Sequence, residues 1–247
     1  MTEQARLYNS VAPLTNVSAL VGLISRVVDR NHNLPGLAVF YGPSGYGKTT
    51  AATYAANHFD AYSVQMKSVW RPVKLCEAIL LEMGLKPARG IANMVEQIGE
   101  LLATSNRPLL IDEADFLTQH KMVELVRDIY ETSGTPIILI GEEELPQKFQ
   151  PWERFHNRVL DWVAAERAQR DELDHLARIY APSITIESEL LDRLMVGTRA
   201  NIRRICENFD RMHEFSRARG LKTLTVKDWG EKDFFTGQAP APRRGLK

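Results

Sequence analysis

The stretch that most constrains this chain is the junction of an apolar run, Leu37-Ala-Val-Phe-Tyr41, with Gly42-Pro43-Ser44-Gly45-Tyr46-Gly47-Lys48-Thr49. The run reads as a buried β-strand, and Thr50-Ala-Ala-Thr-Tyr-Ala-Ala56 beyond it suits a helix ending near Asn57 and His58. Strand, glycine-rich turn and helix, with the spacing G-x-x-x-x-G-K-T, make a phosphate-binding loop. Unhindered backbone amides curl round phosphates at the positive end of the helix, Lys48 reaches the outer phosphates, and Thr49 ligates magnesium. Residues Gly42 through Thr50 are the expected contacts of a bound nucleotide.

Hydrophobic spacing extends the pattern in both directions. Leu14, Val17, Leu20, Val21, Ile24, Val27 and Val28 repeat with a helical period and stop before the loop at 31–36. Further strands are expected at 61–65, 108–111, 136–141 and 158–163, with helices at 73–83, 91–102 and 122–132 between them. Strands alternating with helices imply βαβ units, hence an α/β fold with a parallel five-stranded sheet flanked by helices. From about Glu166 the strand pattern stops, and helices are expected at 166–180, 187–196 and 199–219. The chain therefore divides into an α/β core at 1–165, a small all-helical lid subdomain at 166–236 and a flexible basic tail at 237–247.

The run ending in Asp112-Glu113 supplies the groups that phosphate chemistry still needs. An acid at the carboxyl end of a buried strand can hold the magnesium shell, so Asp112 joins Thr49 as metal partner. Glu113 stands where a carboxylate can polarise an attacking water and is the expected catalytic base. At the end of the next strand, in the position from which a polar residue can sense the outer phosphate, stands Glu142. An ionised carboxylate cannot donate to phosphate, so Glu142 either orients a water or an Arg, or belongs to a solvated loop. Arg154 and Arg158 flank Phe155 before the fifth strand, and Arg199, Arg203 and Arg204 open the last long helix, where a guanidinium could neutralise transition-state charge.

With these residues in place, the chain resembles the AAA+ ATPases. Within them it is similar to the DNA-transposition ATPases of the bacteriophage Mu transposition protein B, IstB and TnsC type. Gly42–Thr49 matches Walker A, Leu109–Glu113 Walker B and Pro136–Glu142 the sensor 1 strand. Arg154–Arg158 looks like the arginine-finger region, and Ala200–Arg204 looks like the sensor 2 helix, with Arg203 on the nucleotide. Two departures stand out: Glu142 replaces the usual neutral sensor, and there is no room for the amino-terminal DNA-binding appendage of the Mu protein. The resemblance implies ATP and Mg2+ as cofactors and a homo-oligomeric filament or ring on duplex DNA. It also implies a cognate transposase to which target DNA is delivered, with hydrolysis driving disassembly and Lys48, Glu113 and a finger at Arg154 or Arg158 as the catalytic set.

DNA contact is expected from Lys67, Arg71 and Lys74 in Lys67-Ser-Val-Trp-Arg-Pro-Val-Lys74, a segment with three cations and no acid, and from His120 and Lys121. The formal net charge is +0, so any such surface arises from local segregation of charge. Two cysteines without metal-ligand spacing argue against zinc and disulfides; the lack of a long apolar run and of a signal peptide argues for a cytoplasmic location and against a membrane, and the resemblance implies a bacterial host. The alternatives are a replication-type helicase loader or initiator with the same motifs, a small-molecule kinase and a chaperone or secretion ATPase. Glu113 speaks against the kinase, and no substrate-threading aromatic loop or membrane segment supports the last.

Overall fold

The computed structural model describes residues 14–239, which fall in two compact units, 14–166 and 167–239. In the first, α1 (Thr15–Val28) precedes β1 (Leu37–Tyr41), and then come α2 (Lys48–His58), β2 (Tyr62–Gln65), α3 (Pro72–Glu82) and α4 (Ile91–Ser105). They are followed by β3 (Leu109–Asp112), α5 (Asp115–Gln119), α6 (Val123–Ser133), β4 (Ile137–Gly141), α7 (Leu145–Phe149), α8 (Glu153–His156) and β5 (Val159–Ala164). All five strands are parallel, in the order β2-β3-β4-β1-β5. The expected α/β fold with a five-stranded parallel sheet is the one observed.

Parallel strands covered on both faces need apolar side chains on both, which is why the runs at 37–40, 109–111 and 137–140 are unbroken rather than alternating. Leu37, Val39, Leu109, Ile111, Ile137 and Leu139 share one core with Ile79 of α3, Ile98 and Leu102 of α4, and Val126 and Ile129 of α6. Their neighbours in sequence, Ala38, Phe40, Leu110, Ile138 and Ile140, are fully buried on the opposite face. There α1 packs on β1 and β5, and α2 on β3 and β4. β5 is an edge strand bonded to β1 alone, and its half-buried pattern explains its weak sequence signal.

In the second unit, α9 (Arg170–Tyr180), α10 (Ser188–Thr198) and α11 (Ile202–Arg219) bury Leu173, Leu176, Leu194, Ile205, Phe209 and Met212. Asn201 caps α11 by accepting from the Arg204 amide at 3.2 Å, and Gly220 ends it at φ +66°. This unit is not all-helical. β6 (Thr185–Ile186) and β7 (Thr223–Leu224) form a two-residue parallel ladder, too short to show the period of a strand in sequence, followed by α12 (Val226–Trp229). The tail from residue 240 lies outside the described residues. No described helix is long and apolar enough to cross a membrane.

Candidate functional site

Because β4 lies between β3 and β1, the turns that follow these three strands converge at one end of the sheet. They are the glycine-rich loop, the Asp112–Asp115 turn and the Gly141–Glu144 turn. The loop owes its shape to Gly45 at φ +84° and Gly47 at φ +79°, left-handed positions that a Cβ would strain, and α2 starts at Lys48 directly after the second. Its apex is held from inside. Asn16 of α1, 2% exposed, donates from Nδ2 to the carbonyls of Tyr46 and Glu166, each at 2.8 Å. Its Oδ1 accepts from the Glu166 amide at 2.8 Å.

Lys48 Nζ donates to the carbonyls of Gly42 at 2.7 Å and Pro43 at 3.0 Å, so the ammonium lies across the loop whose amides would meet phosphate. Burial pushes its pKa down, opposed by the charges of Asp112, Glu113, Glu142 and Asp115. Thr49 Oγ1 donates to Asp112 Oδ2 at 2.8 Å, which joins the start of α2 to the end of β3. Asp112 is 5% exposed, and its Oδ1 accepts from the Glu113 amide at 2.8 Å. A hydroxyl and a carboxylate fixed this way are hard oxygen donors of the kind magnesium takes beside substrate phosphates, so the residues fit that ion.

Glu113 sits at φ +56°, a left-handed conformation in which a non-glycine residue is uncommon. The turn it makes lets the Ala114 amide donate to the Ile140 carbonyl at 2.9 Å and leaves the Glu113 carboxylate half-buried at the rim. Burial, then the charges of Asp112 and Glu142, raise its pKa, with Lys48 acting in the other direction. A carboxylate so placed has increased affinity for a proton taken from water.

The next acid is one that motif spacing does not assign. Asp115, 6% exposed, accepts from the Glu142 amide at Oδ2 (2.7 Å) and from Lys148 Nζ at Oδ1 (2.7 Å). The Glu142 side chain itself is exposed. Lys148 lies on α7, and Asn16 on α1 is far upstream, so neither belongs to a local pattern that could have revealed it; Asp115 carried only the hint of standing three residues after Asp112.

The arginines separate. Arg158 is paired with Glu131, Nη2 to Oε1 at 3.0 Å, whereas Arg154 on α8 is exposed and makes no hydrogen bond or ion pair with the described residues. Arg203 is exposed on α11, in the second unit.

The two basic segments are brought together. Arg71 Nη1 donates to His120 Nδ1 at 2.8 Å, and His120 Nε2 lies 2.8 Å from the Ser68 carbonyl. Guanidinium has no acceptor, so in this contact Nδ1 accepts, and Nε2 is left to donate to Ser68. Lys67 and Lys121 are exposed, while Lys74 pairs with Glu77 at 3.2 Å. Both segments spring from the site: the Met66 amide, next to Lys67, donates to the Asp112 carbonyl at 3.0 Å, and α5 leads from Asp115 to His120.

A strand, glycine-rich loop, buried acid and adjoining carboxylate on a β2-β3-β4-β1-β5 sheet make this the fold of a P-loop AAA+ core. Residues 31–149 match a family model described as AAA domain. Among solved structures, Cdc6p from Pyrobaculum aerophilum aligns with a TM-score of 0.62 at 13% identity, over 86% of this chain and 64% of that one. The ORC1 protein from Aeropyrum pernix, solved in complex with DNA, aligns with a TM-score of 0.60 at 14% identity, over 86% of this chain and 62% of that one. This chain thus spans less than two thirds of either, and at such identity the likeness is one of fold. No curated protein matches the sequence.

Proposed function

We propose that this chain is an ATPase that associates with duplex DNA without sequence preference and uses ATP to control its own assembly there, in the manner of a replication initiator or helicase loader. The observation that carries the nucleotide chemistry is the Thr49–Asp112 hydrogen bond at 2.8 Å with Glu113 beside it, two motifs 63 residues apart joined at one point. ATP would lie along Gly42–Thr50, with Lys48 leaving the loop carbonyls for the outer phosphates. Mg2+ would be held by Thr49 and Asp112, and it neutralises phosphate charge when bound. Glu113 would orient water and take its proton. Arg154, exposed and unpaired among the described residues, suits a finger offered to a neighbouring copy better than Arg158, which Glu131 holds; ATP would then bridge protomers.

DNA contact rests on Lys67, Arg71, Lys74, His120 and Lys121. Lys67 follows Met66, whose amide bonds the Asp112 carbonyl, and His120 ends the helix that starts at Asp115, so occupancy of the phosphate site can alter their placement through a few bonds. Delivery of target DNA to a transposase, the narrower implication of the sequence resemblance, finds less support than the initiator reading, because solved structures with this fold include Cdc6p and a DNA-bound ORC1 protein.

The test is direct. Full-length protein is mixed with labelled duplexes of two unrelated sequences in ATP, ADP, a hydrolysis-resistant analogue or no nucleotide, and binding and particle size are followed together. Equal binding of both duplexes in triphosphate, with larger particles than in ADP, is expected. Association that ignores nucleotide, or none at low salt, contradicts the reading. Addition of a replicative helicase or of a transposase then separates the two partner classes by which one changes turnover.

A further inference from the structure

The carboxyl end of β4 carries an electrostatic problem. Asp112, Glu113, Asp115 and Glu142 all act on the one ammonium of Lys48, and a triphosphate would bring more negative charge to the same place. Glu142 cannot relieve it: its carboxylate has nothing to donate, and its amide is already given to Asp115. The structure places a second ammonium behind the first rank of acids. Lys148 Nζ reaches the buried Asp115 carboxylate at 2.7 Å. Gly141 permits this arrangement, since a Cβ there would collide with Asp115 Oδ2.

Resting on the ATPase reading above, we propose that Asp115 and Lys148 form a positioning pair that lets this site accept a third phosphate, and so sets its preference for ATP over ADP. Each half of the pair has a defined task. Asp115 fixes the Glu142 amide and with it the end of β4 beside the phosphate loop. Lys148 cancels the Asp115 charge and keeps that buried carboxylate aimed at the strand. Without Lys148 the carboxylate is left unpaired in a buried position, where it repels the terminal phosphate and loses its hold on β4. ADP, which lacks that phosphate, is little affected.

The effect on the neighbouring helix follows. Lys148 is adjacent to Phe149, which is fully buried against Phe155 of α8 with ring centroids 4.8 Å apart. The anchor on Asp115 therefore also fixes the helix pair that carries Arg154.

The experiment measures ATP and ADP affinities by calorimetry, steady-state hydrolysis and thermal midpoint for the parent, Lys148→Met, Lys148→Arg, Asp115→Asn and Gly141→Ala. Lys148→Met should lower the ATP-over-ADP preference about tenfold with ADP affinity unchanged, and lower kcat more than it raises KM. Lys148→Arg should recover most of both, and Gly141→Ala should reproduce the loss by displacing Asp115. Unchanged preference in Lys148→Met and Gly141→Ala overturns the inference, as does equal loss of both nucleotides accompanied by a lowered midpoint, the mark of a structural role. A parent that binds neither nucleotide overturns the ATPase reading as well. A parent that binds ATP while Lys148→Met keeps its full preference overturns the pair alone.

Discussion

The phosphate end of the sheet and the basic surface beyond β2 and α5 are built on opposite plans. At the first, the side chains that shape the turns are held by partners: Asn16 by Tyr46 and Glu166, Thr49 by Asp112, Asp115 by Glu142 and Lys148. At the second, Lys67, Arg71 and Lys121 are exposed, and the fixed contacts are the chain from Arg71 through His120 to Ser68 and the Lys74–Glu77 pair. Chemistry on a phosphate needs atoms placed before the substrate arrives, whereas attraction of a duplex needs charge and tolerates movement. Substitutions in the two regions should accordingly fail in different ways.

The largest effect is expected at the phosphate end. Lys48→Ala removes the one cation that crosses the loop and should weaken ATP binding by about a hundredfold or more, measured by calorimetry. Glu113→Gln keeps the shape and removes the proposed base, so turnover should fall about 10²–10⁴-fold while ATP still binds, and assemblies on DNA should persist. Turnover near the parent's in that variant removes Glu113 from the role.

Asn16→Ala sharpens the comparison because Asn16 is far from any phosphate in sequence but clamps the loop. Losing the three hydrogen bonds of this buried side chain should cost about 2–4 kcal/mol and lower the thermal midpoint by about 5–10 °C, followed by differential scanning fluorimetry. On the basic surface the changes should be smaller and salt-dependent. Arg71→Ala or Lys67→Ala should each weaken duplex binding by about 3–10-fold, equally for unrelated sequences, and reduce the slope of log affinity against log salt by about 1. His120→Ala, which frees Arg71 without removing its charge, should have the smaller effect of about twofold in DNA affinity.

Glu113 also gives a pH test of stability. Its folded pKa lies above its unfolded value, so between the two the native state binds more protons than the unfolded chain, and stability falls as pH rises through that window. The ionised carboxylate therefore costs stability at neutral pH. Glu113→Gln should raise the thermal midpoint of the nucleotide-free protein slightly at pH 7, and the gain should vanish as pH drops below the ordinary carboxylate range.

What could be seen in the sequence follows from the same contrast. Spacing within one turn is legible, so Gly42–Thr49 and Asp112–Glu113 could be found, and unbroken apolar runs marked β1, β3 and β4. The contacts that knit the turns together are set by strand order: Asn16 and Glu166 are 150 residues apart, and Asp115 and Lys148 are 33 apart. No periodicity encodes such pairs. The short helices α5, α7 and α8 span four or five residues, less than two turns, and cannot show a helical repeat, which hid Lys148. The β6–β7 ladder in the second unit escaped for the same reason of length. Arg71 and His120 could each be named as basic, but their direct bond depended on β2 and β3 being neighbours.

Isothermal titration of Mg2+-ATP into the full-length chain, beside the same titration into Lys48→Ala, is the most direct measurement of the central claim that the β1–α2 loop holds a triphosphate. Saturable binding to the parent near one ATP per chain, lost in the variant, is the result expected. Heat of mixing alone for the parent, or identical isotherms for the two proteins, would contradict it.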